Sequence, residues 1–550
     1  MEEKEMKKLT AILLTLMIVL SLCACSFGGS DPTEPPTEQP TEPPAEYTIN
    51  FELNGGQNVE GVVSSVTVPD GETAVMPIPT KEGCVFAGWY LDAELTSRYF
   101  FDYPLDEDVT LYAKFYETAL GEYIVISNVE QLMAIKDDPA AKYLLACDIN
   151  CKGNTLTPID EFTGELEGNG YKIYNYTMSE SALNVAFIRT NRGTVKNLSF
   201  GDFTFDIKRD TGSDKAYGIV CSINYGAVEN CAVLDGEMKI ACKVSGNNSN
   251  HSMYVGGVAG RNYGTVVNCK TNVKIYVETT QGGHHPNSYQ GWQSRSVSHF
   301  VGGLIGQNQA DAVLSDGTNN GSIHITSTTI TAGLSYSYVG GIVGANIGDT
   351  SASGSVCDIT ITCIGNRSNL RLGGAVGENT ASVENCSAEG NINIDHTAGT
   401  TETLIGGFVG YTSGKLYNCY STCDIADNTA TIKAIGGFAG YNEKLANKEY
   451  VIHKCFSTGS ISISGAAENV GKFVGLSTGT EKDCCYLDTM TITKTTIVEE
   501  KETTEEVTPT NDIGTAKTES ELLSADFLEN TMYFDRMVWF LVDGKLPELR

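Results

Sequence analysis

The chain is short of bases and of histidine. Lysine and arginine together number 37 against 68 acids in 550 residues, a formal charge of −31, and there are seven histidines. A surface of that sign repels nucleic acid and anionic lipid and favours solubility. It is compatible with weak calcium binding, and no cofactor is expected. The histidines form no His-Glu-x-x-His, and no Gly-x-Ser-x-Gly elbow, Cys-x-x-Cys pair or Cys/His cluster of zinc spacing occurs. These absences remove the familiar signatures of metallopeptidases, serine hydrolases and structural zinc sites. The longest apolar run, Leu9 to Leu22, is fourteen residues. That falls short of the roughly 20 needed to cross a bilayer.

Lys4, Lys7 and Lys8 precede this run, and Leu22-Cys23-Ala24-Cys25 follows it, an arrangement expected of an export signal over residues 1–24. The last four residues resemble the lipobox of bacterial lipoproteins. That resemblance implies lipidation of Cys25, a bacterial cell-surface location, and membrane attachment through the lipid anchor alone. Ser26 to Glu46 holds six prolines, five acids and no base. Such a stretch cannot bury apolar surface, so residues 25–46 are expected to be an extended linker, spanning about 60 Å at ~3.1 Å per residue.

Residues 47–117 read as a first domain. Ile49, Phe51 and Leu53 alternate into Asn54-Gly55-Gly56, a strand and turn, and further strand signals run from Ser65 to Val68 and from Val109 to Phe115. Asn-Gly-Gly, Pro77-Ile78-Pro79, Gly83-Cys84-Val85-Phe86-Ala87-Gly88-Trp89-Tyr90 and Leu111-Tyr112-Ala113-Lys114-Phe115 follow in order. This set is similar to the internalin-type B repeat, which implies a small β-grasp-like module with the aromatics in its core. Ser127 and Glu130 predict a capping box for a short helix that heads the next domain, residues 121–490.

That domain is dominated by repetition. Gly256-Gly257-Val258-Ala259-Gly260 recurs at Gly302, Gly340, Gly373, Gly406 and Gly436, with second glycines 46, 38, 33, 33 and 30 residues apart. Downstream comes Asn224-Tyr225-Gly226-Ala227-Val228-Glu229-Asn230-Cys231, and again Asn262-Tyr263-Gly264-Thr265-Val266-Val267-Asn268-Cys269. Together these resemble the GLUG repeat of bacterial adhesin-like surface proteins. Short β-rich pieces of this kind cannot bury their apolar faces alone, and stacking them buries one column. The chain is therefore expected to be mostly β: a right-handed parallel β-helix (solenoid) of roughly 12 to 15 coils preceded by the small B-repeat domain. Residues 491–515, rich in Thr and Glu, read as a polar linker. Residues 516–550 read as a segment that caps the last coil, opening with a capped helix start at Thr518 to Leu523.

Recurrence also decides how the motifs are weighed. A phosphate-cradling loop is needed once, whereas glycine in every coil answers a tight turn or a close backbone approach. Cys231, Cys269, Cys386, Cys419 and Cys455 share a position that Leu198 fills earlier, which points to stacked interior thiols over disulfides or metal ligands. The asparagines before them are expected at turns or in amide ladders. His284, His285, Tyr289 and Trp292 gather in the longest insertion, a candidate ligand-binding loop with no visible third metal ligand. With no catalytic motif, the chain is expected to be a non-catalytic surface protein that binds a host matrix protein, a glycan or a neighbouring cell. A glycan-degrading lyase or hydrolase on the same fold, and a passive spacer, are the alternatives.

Overall fold

The computed structural model describes residues 46–550 apart from 58–63, 70–71, 100, 102–104, 106, 118–122, 179–183, 210–213, 245–250, 282–296, 330–334, 366–367, 397–401, 429–430, 445–450, 499–500 and 512. Cys25, with the export signal and most of the linker, lies outside the described residues, as do His284, His285, Tyr289 and Trp292. No helix among the described residues is long and apolar enough to cross a membrane.

Four strands come first, β1 (Glu46–Glu52), β2 (Ser65–Pro69), β3 (Cys84–Tyr90) and β4 (Val109–Glu117). The chain divides into two compact units. In the smaller unit Ile49, Val68 and Leu105 are buried, and Thr48 N donates to Asp108 Oδ1 at 2.7 Å. All else described below belongs to the larger unit. There β3 pairs antiparallel with β4 across a bulge between Phe86 and Trp89, where Gly88 takes a positive φ of 99°. Trp89 is fully buried, its ring 4.7 Å from Phe51 and its Nε1 donating to Pro77 O at 2.8 Å. That is core packing with the indole N–H satisfied.

Most of the rest of the larger unit is a parallel β-helix. One coil shows the plan. His251–Gly256, Ala259–Asn262, Thr265–Val267 and Lys270–Gln281 form four successive faces, and the next coil lies on it in parallel register, Tyr254 on Phe300, Ala259 on Ile305, Val266 on Leu314 and Ile275 on Ile323. Among the described residues the first three faces carry nine, ten and twelve strands, so two of the three fall below the expected 12 to 15 and the third only meets it. Side chains alternate across each strand. On the first face Val255, Val301, Val339, Leu372, Ile405 and Ile435 form one inward column, all buried.

The repeated glycines answer close approach. A Cβ on Gly257 would lie 2.4 Å from Gly303 O, one on Gly341 2.2 Å from Gly374 O, and one on Gly407 2.1 Å from Gly437 O. From Gly257 to Gly407 each second glycine thus faces the carbonyl of the same glycine in the next coil, Gly437 faces Lys472 O, and no side chain fits between.

Two asparagine ladders bind the coils. In the buried one, Nδ2 of each residue donates to Oδ1 of the next through Asn191, Asn224, Asn262, Asn308, Asn346 and Asn379, at 2.8–3.1 Å, before ending on Thr412 Oγ1 at 3.2 Å. The other runs at the Asn-Cys corner from Asn268 to Asn230 to Asn197 and ends on the buried carboxylate of Glu167. Its asparagines sit at positive φ, 48–54°, a conformation asparagine tolerates better than most residues. Beside them Cys231, Cys269, Cys386, Cys419, Cys455 and Cys484 are buried free thiols. Each Sγ lies 3.3–3.4 Å, or 3.2 Å for Cys386, from the carbonyl two residues before it, and works as a small hydrophobe with a weak donor.

Three expectations are corrected. The short helix, Val129–Met133, is capped by Asn128, whose side chain accepts from Gln131 N; Ser127 instead donates its N–H to Gln131 Oε1. The stretch 491–515 is no linker. Ile492–Val498 and Lys501–Glu506 form an antiparallel hairpin, and Ile492 continues the inward column of the fourth face from Ile461, so its alternating Thr and Glu occupy a strand surface. Residues 516–550 lie on the last coil only at their start, where Ala516 and Lys517 pair in parallel with Tyr486 and Leu487; the rest is not an end cap. The helix start is as expected, with Thr518 and Glu521 forming a capping box, yet Leu528, Phe534 and Trp539 cluster with Tyr420 and Phe456 on the sides of successive coils. Asn418 Nδ2 donates to Tyr533 O (2.6 Å), Lys454 Nζ to Thr531 O (2.5 Å) and the Tyr420 hydroxyl to Pro547 O (2.6 Å). The stacked outer rings of Tyr420 and Phe456 demand cover, and the segment supplies it laterally.

Asn262→Ala leaves Asn224 without its acceptor and Asn308 without its donor inside the stack, so the unfolding free energy should fall by about 3 kcal/mol, read from a denaturant midpoint. An effect under about 0.5 kcal/mol would show that the ladder is incidental.

Candidate functional site

The outward columns of the first two faces hold the richest chemistry. Two residues before the first glycine of successive copies stand Tyr254, Phe300, Tyr338 and Arg371, in register on the first face. One residue after the third glycine stand Arg261, Gln307, Ala345, Glu378, Tyr411 and Tyr441, in register on the second. At the corner that follows, Tyr225 and Tyr263 come directly after Asn224 and Asn262 of the ladder.

These side chains form one unbroken band of ring and guanidinium contacts. Arg192 lies 4.5 Å from the ring of Tyr225, which stacks on Tyr263 at 4.7 Å. Arg261 lies 5.1 Å from Tyr263 and 4.4 Å from Tyr254. Tyr254, Phe300 and Tyr338 stack at 4.9 and 4.7 Å, and Arg371 reaches Tyr338 at 5.7 Å and Tyr411 at 3.9 Å. Stacking along the coil axis spends the ring faces on neighbouring coils. What the band offers outward is ring edges, phenol groups and guanidinium edges, about one row per 4.8 Å coil. Tyr225 is the most open of the rings, 43% exposed.

Acids and a base gather where Arg371 stands. Its Nη1 lies 2.5 Å from Glu378 Oε1 and its Nη2 3.9 Å from Glu402, while the Tyr411 hydroxyl donates to Glu443. Burial raises the Glu378 carboxyl above the ordinary range, Arg371 pulls it back, and the negative charge of Glu402 pushes it up again. Burial likewise lifts the Tyr338 phenol to about 12. Tyr336, Tyr338, Asn369, Arg371 and Glu402 line a shallow depression at this point. A carboxyl with a raised pKa, a second carboxylate and a guanidinium are together capable of proton transfer to a ligand lying across them. A groove of about 210 Å³ on the fourth face, lined by Asn391, Asn393, Asp424, Ala426, Ser462 and Thr493, has neither rings nor bases.

None of the band was singled out in sequence, although its signal is present: tyrosine, phenylalanine, tyrosine and arginine at one offset from the recurring glycines. Among the described residues no group of three or more His, Cys, Asp and Glu is placed to hold a metal ion.

Residues 47–114 carry the Listeria-Bacteroides repeat domain, and residues 368–393 the GLUG motif. Two curated relatives come from Evansella cellulosilytica. One, provisionally named a membrane protein, is 43% identical over 81 residues, 14% of this chain and 11% of its own length. The other, provisionally named a Gly-rich membrane protein, is 36% identical over 95 residues, 17% of this chain and 10% of its own length. The chain therefore spans about a tenth of either relative. Among solved structures, a chain from Bacteroides ovatus provisionally assigned as an immunoglobulin A1 protease aligns over 78% of this chain and 92% of its own, at 14% identity and a TM-score of 0.28. A second, named IgA1 protease, aligns over 84% of this chain and 29% of its own, at 13% identity and 0.31. The expectation of a protein that performs no chemistry is corrected by this comparison, since both solved chains bear the name of a protease. At these TM-scores the likeness carries no argument about which residues would act.

His299 lies in the interior beside Phe300 of the band, its ring nitrogens 2.9 Å from Thr279 Oγ1 and 3.2 Å from Ser337 Oγ. Burial depresses its pKa to about 4. As pH falls below the ordinary value near 6.5 the unfolded chain takes up this proton and the folded chain does not, so stability from His299 is full above 6.5 and drains until about pH 4. The loss over that window should be about 3 kcal/mol and should largely vanish in His299→Gln, as thermal melting at stepped pH would record. Identical pH profiles for the two proteins would overturn the assignment.

Proposed function

We propose that the chain is a cell-surface protein that binds an extended glycan along its band of tyrosines and arginines, in adhesion to a host matrix or to a neighbouring cell. The unbroken contact chain from Arg192 to Tyr441 carries this reading. Rings locked against one another lose little entropy on binding, and a row repeating with the coil suits a ligand that itself repeats. A surface location is supported by the Listeria-Bacteroides repeat, by the GLUG motif and by the membrane-protein names of the two relatives. Attachment through a lipid on Cys25 is part of the proposal.

A second reading is favoured by the Arg371 cluster: the bound glycan is also cut there, with Glu378 as the proton donor and Glu402 as the carboxylate that takes a proton or steadies charge. Burial holds Glu378 protonated to higher pH than an ordinary carboxyl, as a proton donor requires.

The full chain is passed over immobilised host and plant glycans, scoring both retention and released oligosaccharide. Tyr225→Ala together with Tyr263→Ala should weaken retention at least tenfold, and Thr493→Ala on the fourth face should leave it unchanged. Retention indifferent to both tyrosines would remove the band as the binding site. Where product is released, Glu378→Gln should abolish release and spare retention; release at the wild-type rate would end the second reading.

A further inference from the structure

The band holds three guanidinium groups, and two are already matched by carboxylates. Arg192 Nε lies 3.0 Å from Glu161, and Arg371 is paired with Glu378 and Glu402. Arg261 is different. It has two rings beside it, Tyr254 and Tyr263, but it forms no ion pair among the described residues, and its buried Nε has no hydrogen-bond partner. Aromatic contact compensates part of the charge and leaves the guanidinium donors, which carry the information about a ligand, without acceptors.

The surroundings are selective in the same sense. Along the second face the column reads Ile223, Arg261, Gln307 and Ala345, and along the first Ala216, Tyr254, Phe300 and Tyr338. The corner column reads Tyr225, Tyr263, Gln309 and Ile347. In a chain of formal charge −31, these three columns run across four coils without a carboxylate. Beyond these four coils acids return in them as Glu161, Glu378 and Glu443, and the first two occupy the partnered arginines. At physiological salt charges beyond about 8 Å are largely screened, so a ligand on these columns senses Arg261 more than the net charge.

We infer that Arg261 reads a carboxylate on the glycan, and that the ligand of the band is an acidic polysaccharide built from uronate units. This rests on the reading of the band as a glycan-binding surface and specifies which class of glycan it takes. A guanidinium fork meets a carboxylate with two parallel hydrogen bonds, flanking ring edges receive the sugar, and a polymer lying along the coils offers its acid groups repeatedly to the one unmatched cation.

The test measures binding of the full chain to polygalacturonate, hyaluronate and alginate. Each is compared with its carboxyl-reduced form, in which uronate carboxyls have become primary alcohols. Polyglutamate serves as a peptide polyanion. At least one polyuronate should bind, at least tenfold more tightly than its reduced form. Arg261→Gln should lose at least tenfold towards the acidic polymer and nothing towards the reduced one. Arg261→Lys, which keeps charge and stem but not the fork, should bind more weakly than wild type and retain the preference for acid; it supplies the answer should the glutamine variant fail to fold. Equal binding of acidic and reduced polymers, or an inert Arg261→Gln in a protein whose binding still depends on Tyr225 and Tyr263, would overturn the inference and leave the glycan-binding reading standing. Polyglutamate bound as tightly as the polyuronate would also overturn it, making the occupant an acidic peptide. Binding to no polymer, acidic or neutral, would overturn both.

Discussion

Coil-to-coil register governs everything else in the β-helix, and the buried asparagine ladder is where register is enforced. An amide can donate to the coil on one side and accept from the coil on the other only if every coil presents its asparagine at the same height and angle. Asn224 and Asn262 also donate to the carbonyls of Gly226 and Gly264, two residues on, so each ladder rung fixes the turn that follows it. Backbone pairing alone would tolerate a slip of two residues, which keeps the inward face apolar. A slip would break the amide ladder and strand its polar groups in the interior, at a cost of about 1–3 kcal/mol for each.

Once register holds, the remaining features follow from repetition. Glycine recurs because the same carbonyl approaches at each coil, and cysteine recurs because the interior slot beside the Asn corner takes a small hydrophobe that can touch a carbonyl. Register also turns single outward residues into columns. Tyr254, Phe300 and Tyr338 are 46 and 38 residues apart in the chain and stack within 5 Å because the coils deliver them to one line. The band is thus a by-product of the core: the inward positions make the coils identical, and outward positions left free of that demand can be spent on recognition.

Much of the architecture was legible from local pattern. The Gly-Gly-x-x-Gly and Asn-Cys elements announced stacked β-structure, and the presence of Leu198 in the cysteine column announced an interior slot, because those choices are dictated by contacts that every coil makes in the same way. The capped helix at Thr518 was legible for the same reason: Thr518 and Glu521 act on their own backbone. Less was legible where a residue answers to something distant. The Thr and Glu alternation of 491–510 reads as solvated linker until Ile461 is placed beside Ile492, and the terminal segment reads as an end cap until the stacked rings of Tyr420 and Phe456 are seen to need covering.

The amino-acid sequence by itself determined the repeat, the β class, the interior column and the two kinds of recurring unit, since each rests on short-range periodicity and on residues whose backbone preferences are their own. Only the tertiary structure decided which outward side chains meet, that two of three arginines in the band are matched by acids, and that Arg261 is not. Those facts depend on which coil lies beside which and on how far each strand is offset, and parallel stacking brings together residues that chain order keeps 30 to 46 apart.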